Sequence, residues 1–182
     1  MINRLAPGQL LIAAPAMTDP NFEGTVVLLC ALEESGAVGL VLNRPMGISA
    51  QQILPGAAQP AGTPGKLLWG GPVGLNQVFL LHQSALSAEI GKPIAGGLCF
   101  GGDLDDARRI AEADGQILFF VGYTGWGQGQ LEEEQKSGGW LILPPDAREV
   151  WRADRTWQWE QLLARAAPDM SWMRGIERPD LN

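Results

Sequence analysis

The residues of this chain whose types and spacing could do chemistry gather in one stretch, 117–144, with the sequence ILFFVGYTGWGQGQLEEEQKSGGWLILP. It reads as a buried strand, a glycine-rich turn, a short acidic helix and a second buried strand. The turn, 122–130, sets Gly122, Gly125, Gly127 and Gly129 beside Tyr123 and Trp126, where turns ordinarily carry small polar residues. Glycine permits positive φ and close backbone approach. A helix starting at Gln128 or Gly129 would aim its free N–H groups into the same loop, which favours an anion. One reading is therefore a pocket for a small anion or carboxylate, walled by Tyr123 and Trp126, with Gln130 at its edge. The other is architectural: the glycines turn the chain, Trp126 plugs the core and Gln130 ties off backbone groups. Glu132, Glu133 and Glu134 oppose an anion, although they suit a helix start. The glycine spacing is not that of a dinucleotide-binding loop, and no fitting acidic partner lies downstream.

Arg44 is the second candidate. It follows the apolar run AVGLVL and Asn43, and precedes Pro45, which holds it extended at the end of a strand. A fixed guanidinium there suits carboxylate or phosphate recognition; it can equally pair with Asp19 or a helix carboxylate. The candidate ligand-binding set is thus Asn43, Arg44, Tyr123, Trp126 and Gln130, facing a cleft between Arg44 and the 122–130 turn. His82, the one histidine, reads as a hydrogen-bonded strand-end residue. A zinc site built on imidazoles is not expected. No G-x-S-x-G, phosphate-binding loop, H-E-x-x-H or C-x-x-C motif occurs. No catalytic residue, cofactor or metal is therefore assigned.

The elements that must position these residues can be placed from patterning. Residues 9–13 form a short strand ending before Pro15. TVVLLCAL, 25–32, is apolar without alternation, as a strand buried on both faces is. EESG, 33–36, is a hairpin signal, and residues 37–42 return, with Gly39 admitting a close neighbour or a bulge. Ser49 can cap a helical turn. PGAAQPAGTPG, 55–65, is a connector. KLLWGG, 66–71, is a strand closed by an architectural Gly70-Gly71-Pro72 turn. VFLLH, 78–82, is another strand, and 94–100 a weaker one. Asp103 caps an amphipathic helix that ends at Asp114-Gly115. Asp146 caps a short helix, and Thr156 a last one running to Ala167. Trp140, Trp151, Trp157 and Trp159 either cluster under that helix or form part of a partner surface.

The chain of 182 residues is 46% apolar, enough for one well-filled core. The expected fold is α/β: a single domain, 1–167, with a poorly ordered tail, 168–182. A net charge of −7 argues against a phosphate-binding face. Near the C-terminus, arginines such as Arg148 and Arg152 alternate with Asp146 and Glu149, so direct nucleic-acid binding is not expected. Cys30 and Cys99 sit in apolar runs and read as reduced core thiols. The N-terminal apolar run is too short for a signal peptide or a membrane span. A cytoplasmic protein without membrane contact is expected.

The blocks GQLLIAAPAMTDPNFEGTVVLL (8–29), GAVGLVLNRP (36–45), LLWGGPV (67–73), VFLLH (78–82), GYTGWGQGQLEEE (122–134) and WLILPPD (140–146) resemble, in order, those of the YqgE/AlgH family of small bacterial proteins. This chain departs from the family pattern at Asn76-Gln77, at Phe100-Gly101-Gly102-Asp103 and at Gly138-Gly139. The resemblance implies a bifurcated, partly barrel-like mixed sheet with helices packed on it. Members are labelled transcriptional regulators, and no catalytic residues carry over. The expectation is a non-enzymatic regulatory or adaptor protein with a protein partner or small anionic ligand. The alternative is a sensor or enzyme using the Arg44 cleft.

Overall fold

The structure is a computed structural model that describes residues 4–53 and 66–168. The 55–65 connector lies outside the described residues, as does the tail from 169 onward. The strands are β1 (Leu10–Ala13), β2 (Val26–Glu33), β3 (Gly36–Val41), β4 (Pro45–Ser49), β5 (Lys66–Trp69), β6 (Val73–Gln83), β7 (Lys92–Pro93), β8 (Cys99–Phe100), β9 (Gln116–Gly127) and β10 (Trp140–Leu143). The helices are α1 (Ala50–Ile53), α2 (Leu104–Glu112), α3 (Gln130–Lys136), α4 (Ala147–Val150) and α5 (Gln158–Ala166). None of the described helices is long and apolar enough to cross a membrane.

The sheet follows the path β10-β1-β2-β3-β9-β6-β8-β7 and does not close into a barrel. All pairings are antiparallel except β5 on β9. β4 and β5 form a branch off that path, so the sheet forks at β9. β1 is central because it pairs with both β2 and β10, and all four of its residues are sealed from solvent. Each fully buried Leu or Ile there contributes about 1.5–3 kcal/mol. One sheet face packs Leu10, Leu28, Leu40, Leu118 and Phe120 under α5 residues Leu162 and Leu163. Another packs Leu11, Val27, Leu29, Trp126, Leu131 and Trp140. A third cluster joins Ala107 and Ile110 of α2 to Ile117 and Phe119.

The β2–β3 hairpin forms at EESG, with a register shift between Leu29 and Ala31. Gly39 lies opposite: a Cβ there would sit 2.6 Å from a Val27 methyl carbon and 3.1 Å from the Trp126 ring. α2 is capped by Asp103, whose carboxylate accepts from the Asp105 and Asp106 N–H groups while Asp106 returns to the Asp103 N–H. Asp146 caps α4.

Four sequence expectations change. Residues 122–127 are not a turn: β9 runs on through Gly127 because it pairs with β6 up to Tyr123 and with β3 from Thr124. Residues 94–100 form a 3-10 turn at Ala95–Gly97 with the two-residue β8. α5 begins with Trp157 at its N-cap and without a side-chain cap, rather than at Thr156. The four C-terminal tryptophans do not form one cluster. Trp140 packs on Trp126, Trp151 donates to Gln83, Trp159 donates to the Ala13 carbonyl, and Trp157 is exposed.

Candidate functional site

The fork is built by a backbone crossing. After β5, which lies along β9 in parallel, the chain passes over β9 at Gly70–Gly71 and returns on its other side as β6. Gly71 and Gly122 carry φ of +152° and +69°. A Cβ on Gly70 would lie 2.2 Å from the Gly122 carbonyl oxygen, one on Gly71 2.3 Å from the Tyr123 carbonyl, and one on Gly122 2.5 Å from the Gly71 oxygen. Only bare backbone permits that approach. The crossing is tied by Gly70 N–H to the Val121 carbonyl (2.8 Å), by Val41 N–H to the Gly70 carbonyl (2.9 Å) and by the Thr124 hydroxyl to the same carbonyl (3.2 Å). The glycines of GGPV and GYTG therefore serve one crossing.

Asn43 and Arg44 face the loop before β2. The Asn43 amide accepts from the Val26 N–H (2.9 Å) and donates to the Gly24 carbonyl (2.8 Å). Arg44 Nη2 donates to the Pro20 and Glu23 carbonyls at 3.1 and 3.2 Å. Its guanidinium carbon lies 5.0 Å from the Trp69 ring centroid, a cation–π distance. Partial burial lowers its pKa from the ordinary arginine value, opposed by the charges of Glu23 and Asp19. The Asn43 amide is thus tied to loop backbone through both its ends, and Arg44 through Nη2.

Trp126 is buried, and its indole N–H donates to Glu134 Oε2 (2.9 Å); the Trp140 indole donates to the same oxygen (2.8 Å). Gln130 Nε2 donates to Glu134 Oε1 (2.9 Å), and Gln130 Oε1 accepts from the Gly127 N–H (3.0 Å). Phe22, Trp126 and Trp140 pack as three mutually contacting rings. One carboxylate of the acidic run therefore gathers three donors and fixes α3 against the sheet.

Tyr123 stands apart from these. With Trp126 it lines a hollow of about 410 Å³ between the β2–β3 hairpin, β9 and the start of β6, together with Ala31, Val38, Val73 and Gly125. Glu33 and Ser35 form its rim, and Glu33 pairs with Lys92, which holds the Glu33 carboxyl below the usual carboxylate range. The Tyr123 ring rests edge-on against Phe79 at 5.3 Å between centroids. Val73 is 40% and Leu75 57% exposed beside it. The structure brings Tyr123 and Trp126 together here; Asn43, Arg44 and Gln130 are not among the lining residues.

His82 is the hydrogen-bonded strand-end residue its position implies, whereas patterning missed the burial of Arg155 and Gln158. His82 is sealed; its Nε2 lies 3.1 Å from the Ile90 carbonyl, and its Nδ1 has no partner. Burial lowers its pKa, against smaller opposing effects of Ile90 and Asp106. Arg155 donates to the Val150 carbonyl at 2.6 Å, and burial pulls its pKa down to about 10. Gln158 donates to the Glu149 carbonyl at 2.8 Å. Only the alternating charges of this region hinted at a network, and they pair: Arg148 and Arg165 with Asp146, Arg152 and Arg165 with Glu149. Cys30 and Cys99 are free and buried, and burial pushes the Cys30 thiol up.

Comparison with known proteins places this architecture. A family model described as AlgH-like matches residues 10–171. A UPF0301 protein of Streptomyces avermitilis is 35% identical, over 96% of this chain and 94% of its own length. One from Ralstonia nicotianae is 39% identical over 76% of each chain. The solution structure of the AlgH protein from Pseudomonas aeruginosa superposes with a TM-score of 0.69 at 33% identity, covering 93% of both chains. The crystal structure of a Corynebacterium diphtheriae protein reaches 0.81 at 24% identity, over 91% of this chain and 89% of that one, and shares the fold. With the family model spanning residues 10–171 and relatives above 30% identity over most of its length, the chain belongs to the AlgH-like family.

Proposed function

We propose that this chain is a non-catalytic regulatory or adaptor module that acts by binding, through the hollow at Tyr123. The observation that carries this reading is a concavity open to solvent, of mixed polarity, walled by Val38, Val73 and Tyr123 and edged by Glu33 and Ser35, with the exposed side chains of Val73 and Leu75 at the start of β6. Exposed apolar surface gathered around a concavity is what a partner or ligand covers. The regulatory part of the reading agrees with the AlgH name carried by one solved relative. Contact with nucleic acid is not part of it. The net charge is −7, and Arg148, Arg152 and Arg165 are paired with carboxylates. The same hollow is large enough for a small ligand, which is the second form of the proposal. Glu33 at its rim disfavours an anion there. An anion-binding role for Asn43 would need its amide to leave the loop backbone, and one for Arg44 would fall to donors other than the loop-bound Nη2.

The test is a photo-crosslinking residue at Val38 in living cells, with exposed Glu112 at the end of α2 as the control position. A discrete adduct at Val38 that Tyr123→Ala removes, and that position 112 does not yield, is the expected result. Turnover of a substrate panel that is abolished by Tyr123→Phe or Arg44→Ala would overturn the non-catalytic reading.

A further inference from the structure

The hollow has an unfinished strand edge along one side. β9 has β6 on one flank from Gln116 to Tyr123, where it meets Val73, and β5 on the other at Phe120 and Val121. Beyond Tyr123 the chain that would continue β6 has already crossed over β9 at Gly70–Gly71, so residues 124–127 pair only with β3. That pairing is regular: Gly39 with Thr124, Val38 with Gly125, Ala37 with Trp126, and Gly36 with Gly127. Backbone groups of successive strand residues point to alternate sides. The Gly127 N–H is taken by Gln130 Oε1, which places that N–H on the side away from β3. Gly125, two residues earlier, therefore aims its own N–H and carbonyl to the same open side. Gly125 is exposed, has no side chain to block approach, and lines the hollow.

An open rung of N–H and C=O is a template for another strand. Side chains on that face are set by the same register. Val38 and Ala31 share it with Tyr123 and Gly125, and Glu33 lies two residues further along β2. Resting on the proposal that the hollow is a binding site, we propose that it takes an extended segment of a partner protein by strand addition to Gly125. The segment carries an apolar residue opposite Gly125, seated on Tyr123, Val38 and Val73. It carries a basic residue two positions away on the same face, reaching Glu33. Exposed Glu34 and the net charge of −7 favour the same sign of partner. The Glu33–Lys92 pair is solvent-exposed on both sides, so an incoming cation exchanges with Lys92 at little cost.

The probe is a blocked heptapeptide, Thr-Lys-Thr-Ile-Thr-Lys-Thr, titrated into the full ¹⁵N-labelled chain. The Gly125 amide resonance is expected to move downfield and its solvent exchange to slow about tenfold. N-methylation of the central Ile removes the donor to the Gly125 carbonyl and should weaken binding about tenfold. Replacing both Lys by Glu, or Glu33→Gln in the protein, should weaken it about threefold or more. If the N-methylated peptide binds as tightly and perturbs the Val38 and Val73 methyls equally, strand addition is wrong while the hollow remains a binding site. If no peptide perturbs Gly125, the proposal falls, and the crosslinking result still judges the hollow independently. Concentration-dependent Gly125 shifts without peptide, with a doubled sedimentation mass, would give the edge to a second copy of the chain and overturn the proposal.

Discussion

Gly122→Ala and Gly129→Ala separate two costs that glycines usually mix. The two positions have nearly the same backbone conformation, φ +69° and +72°. A Cβ at Gly129 meets nothing within 4 Å, whereas at Gly122 it would sit 2.5 Å from the Gly71 oxygen and 2.8 Å from the Val73 oxygen. Both substitutions incur the left-handed penalty, roughly 1–2 kcal/mol. Only Gly122→Ala also forces two backbones apart, which adds about 1–3 kcal/mol by the measured cost of overpacking. The neighbours here are carbonyls tied into the crossing rather than flexible side chains, which favours the upper half of that range. Gly129→Ala is then expected to cost about 1–2 kcal/mol and Gly122→Ala about 3–5 kcal/mol. With a urea slope of about 2 kcal/mol/M, the two midpoints should differ by about 1 M. Equal midpoints at unchanged slope would refute the claim that the crossing needs a bare backbone. A neutral Gly122→Ala would refute the fork itself.

Other perturbations test the buried polar groups. The fold keeps the His82 imidazole neutral, with its pKa lowered from the ordinary 6.5, whereas the unfolded chain protonates near that value. Unfolding therefore takes up a proton, and stability should fall as pH drops below about 6.5. His82→Gln should flatten the urea midpoint between pH 7.5 and 5.5, and an unchanged slope would show that His82 does not titrate this way. Glu134→Leu strands the Trp126 and Trp140 indole donors and should cost about 2–3 kcal/mol, read in urea together with a change in tryptophan fluorescence. Arg155→Ala leaves the Val150 carbonyl and Gln158 short of a partner, and should lower stability by about 2–3 kcal/mol in thermal unfolding. Iodoacetamide should label neither Cys30 nor Cys99 in the native chain and both in urea, checked by intact mass.

Local chemistry was legible wherever neighbours in sequence decide the outcome. The β2–β3 hairpin follows from EESG, the α2 start from Asp103 and Asp106, and the α4 start from Asp146. The span of β9 was not legible, because its glycines look like a turn until β3 is seen to pair with them. The reason for Gly70, Gly71 and Gly122 was likewise hidden, since it lies in contacts fifty residues apart in sequence. Of the candidate residues, Tyr123 and Trp126 share the hollow, while Arg44 and Gln130 hold loop and strand backbone. An arginine after a strand has the same local sequence whether it awaits a ligand or clasps a loop. Arg155 and Gln158 went unseen because a polar residue within two turns of a tryptophan carries no sign of burial.

The pairing of β1 with β10 carries a consequence for synthesis on the ribosome. Leu10–Ala13 emerges first, yet one of its two neighbours is Trp140–Leu143, and the Trp159 indole closes on Ala13 later still. Through most of translation, this greasy segment has an unclaimed flank. The nascent chain must stay soluble with that flank bare, or shielded by a holding factor, until Trp140–Leu143 arrives to seal it.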